Sequence, residues 1–228
     1  MTSEPVTRVE ASTTRPRAAL EAQDVTFEYV SNRPVLEAWS ASFMPGTMTA
    51  LTGPSGRGKS TLLYLLGLML HPAQGDIFVD GERAGALPDR ERARLRAERF
   101  GFVFQDAALD PTRTVLDNVT ETTLYRGFDR RASSERALAL LDRFGVDVPP
   151  DRKPGQVSGG QAQRIALCRA LLNDPLVLLA DEPTGNLDPS TTELVVTALL
   201  QHARAGAAVI VVTHSPAVAE ACDEEIRL

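Results

Sequence analysis

Nine consecutive residues, Gly53-Pro54-Ser55-Gly56-Arg57-Gly58-Lys59-Ser60-Thr61, match the G-x-x-x-x-G-K-[ST] pattern at every fixed position. A chain of phosphates repels itself. Such a loop holds one by aiming backbone N–H groups inward at the start of a helix, and its glycines let the backbone come close. Lys59 is placed to reach the β- and γ-phosphates of a nucleoside triphosphate, and the Ser60 hydroxyl to ligate Mg2+. Lys59 and Lys153 are the only lysines in a chain rich in arginine. A compact ammonium fits between phosphates where a planar guanidinium does not. A purely structural glycine turn would leave Lys59-Ser60 at its mouth unexplained.

Two further clusters lie downstream. Val177-Leu178-Leu179-Ala180 is an apolar run closed by Asp181 and Glu182. An uncompensated carboxylate at the end of a buried strand is costly, so a Mg2+ shell is the natural partner of Asp181. The competing account, two strand-end acids capping the next helix, is weakened because Pro183-Thr184-Gly185 follows. That helix starts more naturally after Asp188, with Pro189 at its first position. Roughly twenty residues ahead of Val177 stands Val157-Ser158-Gly159-Gly160-Gln161. Ser158 and Gln161 have the spacing of a capping box, N-cap and N3. A capped helix start with flexible glycines is also an anion site, and the two readings are compatible.

Residues 53–61, 157–161 and 177–182 together resemble the ATP-binding cassette (ABC) ATPase family, and the resemblance runs from about Leu20 to the last residue. It implies ATP and Mg2+ as cofactors. Glu182 would be the general base that polarises the attacking water, and Asp181 would hold the metal through its hydration shell. Residues 158–161 would contact the γ-phosphate of ATP bound to the other subunit of a head-to-tail dimer. Gln105 would reach both Mg2+ and the attacking water, its loop meeting a membrane partner; the competing reading is an exposed strand-end amide. His214, between an apolar run and Ser215-Pro216, occupies the position of the family's switch histidine, while Ser215-Pro216 also reads as an N-cap and first helical position. Asp188 is either the N-cap before Pro189 or, with Asn186-Leu187, the loop that signals across the dimer. Tyr29 stands where the family stacks an aromatic ring on adenine; Phe27 is its rival, and a core role is open to either. The sequence departs from the family pattern in two places: Val157 replaces the usual leucine, and Asp106-Ala107-Ala108-Leu109-Asp110 is an uncommon continuation after Gln105.

The elements that must position these groups follow from periodicity. Residues 1–19 carry no hydrophobic period and read as a disordered leader. From residue 20 to 228 one domain is expected. Val25, Phe27 and Tyr29 alternate with polar residues, which predicts a strand with one buried face, turned at Asn32-Arg33-Pro34. Further strands are expected at 35–43, 48–52, 76–79 and 100–104, and helices at 60–70 and 89–98. Residues 106–173 read as a mainly helical lobe. The short apolar runs 176–180 and 207–212 suit central parallel strands covered on both faces. The expected fold is therefore α/β: a phosphate-loop NTPase core with a mainly parallel sheet, an antiparallel β lobe and a helical lobe.

Composition narrows the partners. The net charge of −6 offers no basic field for a nucleic-acid backbone, so nucleic acid is not expected. Nothing reaches the roughly eighteen apolar residues of a membrane span. Two cysteines, Cys168 and Cys222, are too few for a disulfide framework and read as core thiols. His71 and His202 read as structural. The resemblance then implies an integral membrane permease on another polypeptide, a second copy or a homologous ATPase subunit as dimer partner, and a peripheral position at the cytoplasmic membrane face. The stretch 179–188 looks most like the macrolide-exporter, lipoprotein-releasing and antimicrobial-peptide efflux subfamily, which implies export. Two alternatives stand beside this. A switch GTPase or a small-molecule kinase would share the phosphate loop, but the guanine-specifying Asn-Lys-x-Asp of the former is impossible, because neither lysine follows asparagine. A soluble cassette ATPase acting on a macromolecular complex would resemble paired cassettes or carry long coiled-coil insertions.

Overall fold

The computed structural model describes residues 17–30, 33–125, 129–185 and 187–228. Most of the expected leader, Asn32 of the expected first turn and Asn186 lie outside them. Strands β1 (Leu20–Val30) and β2 (Arg33–Phe43) pair antiparallel, and the chain then leaves that sheet through β3 (Met48–Thr52). Strands β4 (Gln74–Val79) and β5 (Glu82–Arg83) return to it, completing a four-stranded antiparallel sheet in the order β2-β1-β4-β5. β3 instead joins β6 (Phe100–Val103), β7 (Val177–Asp181), β8 (Ala208–Val212) and β9 (Glu224–Arg227) in a parallel sheet ordered β6-β7-β8-β3-β9. β5 and β9 are additions to the expected strands; both are short and polar, with no apolar alternation to announce them.

The parallel sheet is covered on both faces, as wholly apolar strands require. Along β7, Val177 and Leu179 join one buried cluster while Leu178 and Ala180 join the other; β8 splits in the same way. The first cluster is built with the antiparallel sheet and helix α1 (Lys59–Leu66). Helix α2 (Asp89–Arg99) flanks that side, with only Arg92 buried. Between residues 106 and 173 lie α3 (Val115–Thr120), α4 (Arg130–Arg143) and α5 (Gly159–Leu171), and no strand occurs there among the described residues. Their apolar faces, with that of α6 (Pro189–Arg204), form the second cluster on the opposite face. Burying each of these Leu, Ile and Val side chains contributes about 1.5–3 kcal/mol. Helix α7 (Pro216–Glu220) closes the chain ahead of β9.

Helix α1 stops at Leu66, short of the expected 70. Gly67 is the C-cap, where a Cβ would lie 2.6 Å from the Phe102 ring, and Leu68 turns left-handed at φ 57°. Cys168 is buried as expected, whereas Cys222 is only partly so. His202 is structural, within hydrogen-bonding distance of the Pro175 carbonyl at 2.9 Å. Among the described residues no helix is long and apolar enough to cross a membrane.

Candidate functional site

β3 runs directly into the glycine loop, and the loop into α1, so the helix begins where the loop ends. Gly58 is the N-cap of α1 in the left-handed region at φ 84°, and a Cβ there would lie 2.6 Å from Val35 Cγ1. Only glycine fits that turn. Lys59 is 6% exposed, and its Nζ donates to the Gly53 carbonyl at 2.8 Å and the Pro54 carbonyl at 2.9 Å. A cleft of about 800 Å³ opens over the loop, which lines it through Ser55, Gly56, Gly58, Lys59, Ser60 and Thr61. Gln105, Asp181, Glu182 and His214 reach the same cleft from three other parts of the chain. Gly53 and Pro54 line a neighbouring recess of about 530 Å³ with His214. Arg57 lines neither, and is exposed.

Asp181 ends β7 and is 6% exposed. Burial pushes its carboxyl above the usual range, while a hydrogen bond from Ser60 and the charges of Lys59 and His214 act against that shift. A buried carboxylate with a hydroxyl beside it fits a small, oxygen-seeking cation, which would relieve the desolvation cost. No cluster of three or more His, Cys, Asp or Glu suited to a metal occurs among the described residues.

Glu182 adopts a left-handed backbone at φ 46°. This conformation costs a non-glycine residue about 1–2 kcal/mol. It is held by the Glu182 N–H donating to the Val212 carbonyl at 2.9 Å and the Gly185 N–H donating to the Glu182 carbonyl at 3.1 Å. The carboxylate Oε1 is buried without a hydrogen-bond partner and lies 3.6 Å from His214 Nε2. Glu182 thus lines the cleft with this oxygen buried beside His214. His214 follows β8, and Ser215 is the N-cap of α7 with Pro216 at its first turn. The Ser215 side chain makes no cap hydrogen bond.

Tyr29 breaks the expected alternation. Phe27 is 8% exposed but Tyr29 is 63% exposed. The pairing of β1 with β2 shifts register between Val25 and Phe27, between Phe27 and Glu28, and between Glu28 and Val30. Such irregularities re-aim side chains. The Tyr29 ring meets Phe27 edge-on at 4.8 Å between centroids, its oxygen lies 3.2 Å from Thr61 Oγ1, and it lines the cleft. Phe27 belongs to the core.

Ser158 and Gln161 form the capping box: the Gln161 N–H donates to Ser158 Oγ at 3.2 Å and the Ser158 N–H to Gln161 Oε1 at 2.8 Å. Ser158 and Gly159 are exposed, and none of residues 158–161 lines the cleft of its own chain. Asp188 caps α6, accepting from the Thr191 N–H at 3.0 Å and the Thr191 hydroxyl at 2.6 Å. The hydroxyls of Ser190 and Thr191, with that N–H, hold its carboxyl well below the usual carboxylate range. It too lies outside the cleft lining.

Some lining residues carried no sequence signal. Val35 arrives from β2, Thr192 from α6 and Val212 from β8, each a common residue without a motif. Around Gln105 the structure adds a second layer. Ala107 and Ala108 are left-handed at φ 61° and 46°, and their carbonyls accept from Arg169 Nη2 at 2.8 Å and Nη1 at 2.7 Å. The Phe104 carbonyl accepts from Gln163 Nε2 at 3.1 Å.

Fold and cleft define a phosphate-loop nucleotide hydrolase with an antiparallel β sheet beside its parallel core. The family model described as ABC transporter matches residues 36–185, and the chain belongs to this family. It is an ATPase and binds ATP. It is 42% identical over 217 residues to the lipoprotein-releasing system ATP-binding protein LolD 1 of Rhodospirillum rubrum, covering 93% of this chain and 96% of that one. It is 43% identical over 194 residues to the macrolide export ATP-binding/permease protein MacB of Chromobacterium violaceum, covering 85% of this chain but 30% of that protein. The ATP-binding cassette MJ0796, solved as a dimer in a post-hydrolysis state with ADP and Pi, superposes with a TM-score of 0.86 at 33% identity, covering 92% of this chain and 94% of that one.

Proposed function

We propose that this chain is the ATP-hydrolysing subunit that powers a membrane permease on a separate polypeptide, for export. It works as a head-to-tail dimer with a second copy or a homologous subunit. The observation that carries the dimer is the separation of residues 158–161, which lie outside their own cleft with Ser158 and Gly159 exposed, from the loop, Asp181, Glu182, Gln105 and His214, which share it. A capped helix start offers anion-binding N–H groups, and only the cleft of another chain can use them.

Within each cleft the backbone of residues 53–61 cradles the phosphates, Lys59 neutralises the β- and γ-phosphates, and the Tyr29 ring stacks on adenine. Ser60, Asp181 and Gln105 would hold Mg2+, which supplies charge neutralisation when bound. Glu182 accepts the proton of the attacking water, Gln105 orients that water, and His214 contacts the γ-phosphate. Asp188 belongs to the loop through which the two subunits communicate.

A groove of about 530 Å³ beside the Gln105 loop, lined in part by Ala97, Phe102, Phe104, Ala108 and Arg169, supports a docking place for the permease, and so a peripheral position at the cytoplasmic membrane face. The names of the relatives, lipoprotein-releasing and macrolide export, support the direction. The alternative, a soluble ATPase acting on a macromolecular complex, keeps the dimer but dispenses with the groove's occupant. Affinity purification from detergent-solubilised membranes separates them: a multi-span protein is expected to co-purify, and a purely soluble partner set contradicts the permease reading.

Analytical ultracentrifugation tests the composite site. The chain is expected to sediment mainly as a monomer without nucleotide and to shift towards a dimer with Mg-ATP. A stable dimer indifferent to ATP contradicts it. For Tyr29, replacement by alanine is expected to weaken ATP binding about tenfold, the scale of one lost base–aromatic stack. Tyr29→Phe keeps the ring and should bind within about twofold of the parent. Equal affinities of Tyr29→Ala and the parent chain, measured by fluorescence titration, remove the ring from the site.

A further inference from the structure

Helix α5 begins at the 158–161 turn, whose Ser158 and Gly159 are exposed, and along the same element holds the Gln105 loop from both sides. Ahead of Gln105, the Phe104 carbonyl accepts from Gln163 Nε2 at 3.1 Å; the same carbonyl takes the Ala107 N–H at 3.1 Å. Behind Gln105, the two terminal nitrogens of Arg169 each take one carbonyl, Ala107 at 2.8 Å and Ala108 at 2.7 Å. These are consecutive left-handed alanines, so their carbonyls are presented by a turn that their own side chains do not favour. Gln163 is 6% and Arg169 9% exposed. Gln105 and Asp106, between the gripped carbonyls, are exposed. The loop tip is thus free while both its stems are tied to one helix.

We propose that Gln163 and Arg169 are positioning residues that make the Gln105 loop travel with α5, so that engagement of the 158–161 turn by the partner's nucleotide sets where the Gln105 side chain lies. The inference rests on the reading of Gln105 and residues 158–161 as parts of one composite ATP site. A planar guanidinium is required because its fork reaches two adjacent carbonyls at once; an ammonium on a flexible stem holds one at a time. Burial lowers the Arg169 pKa from its usual value, and the charges of Glu121 and Asp106 act against that. Arg169 therefore stays in place through its backbone acceptors together with these acids.

The test is a double-mutant cycle on steady-state Mg-ATP turnover of the full chain. Arg169→Lys is expected to lower kcat about tenfold with KM for ATP within about twofold, because geometry at the reacting water changes while the phosphate cradle does not. In a Gln105→Ala background the same substitution should cost nothing further, since the group it positions is gone. An equal loss in both backgrounds, or no loss in the parent, overturns the proposal. If thermal melting shows Arg169→Lys unfolded at the assay temperature, Gln163→Met, which removes the donor to Phe104 and keeps length, is read by the same scheme. Gln105→Ala with parental turnover would instead strike the assignment of Gln105 itself, an outcome distinct from additivity in the cycle.

Discussion

Replacing Glu182 by glutamine should lower ATP turnover by roughly 10² to 10⁴ while leaving ATP binding intact. The Glu182 carboxylate is largely buried, strained at its backbone, and has one oxygen without a hydrogen-bond partner 3.6 Å from His214. Glutamine keeps the size of the side chain and removes its ability to accept a proton. ATP should then accumulate between two copies and trap the dimer. The neighbouring acid gives the contrast. Asp181 is bonded to the Ser60 hydroxyl at the base of the cleft, so Asp181→Asn should weaken Mg2+ retention, prevent productive loading and leave no trapped dimer. ATPase rates and size-exclusion chromatography with Mg-ATP on both variants read the difference. Near-normal hydrolysis by Glu182→Gln, or a trapped dimer from Asp181→Asn, reverses the two roles.

Lys59→Ala should abolish measurable ATP binding at micromolar concentrations. Its ammonium is buried at the mouth of the loop and spans the Gly53 and Pro54 carbonyls, the position from which it can reach a phosphate chain. A charge-assisted contact in so enclosed a place contributes about 1.5–3 kcal/mol, and its loss also leaves phosphate charge uncompensated, for a combined weakening of about 10²-fold or more. Arg57 cannot substitute, because it is exposed and lies outside the cleft lining. Lys59→Arg is the stricter probe: it keeps the charge, and the bulk of the guanidinium should still impair binding. Equilibrium binding of a fluorescent ATP analogue decides the matter, and an affinity unchanged in Lys59→Ala removes Lys59 from the phosphate site.

The parts of this protein legible in the amino-acid order are those whose partners are close by in the chain. The phosphate loop answers to its own glycines and to the helix it opens. The caps at Ser158 and Asp188 satisfy backbone N–H groups no more than three residues away. The apolar runs at β7 and β8 announce their burial without reference to anything else. Asp181 stands out in the sequence for the same reason, since charge closing such a run needs a compensating partner, whereas a role for Glu182 comes only from the family resemblance.

What only the tertiary structure decided are the matters of register and approach between distant segments. Tyr29 lines the cleft while Phe27, whose ring it touches, joins the core; it stands at the end of β1, where the pairing with β2 is irregular. β3 lies between β8 and β9 in the parallel sheet, although in sequence it follows the antiparallel hairpin. Val35 closes on Gly58, and Arg169 on carbonyls sixty-one and sixty-two positions earlier. None of these has a local pattern, because each is settled by which surfaces meet once two apolar clusters have been buried on opposite faces of one sheet. Side-chain chemistry determined what the site could do; the burial of the sheet determined which residues stand near enough to do it.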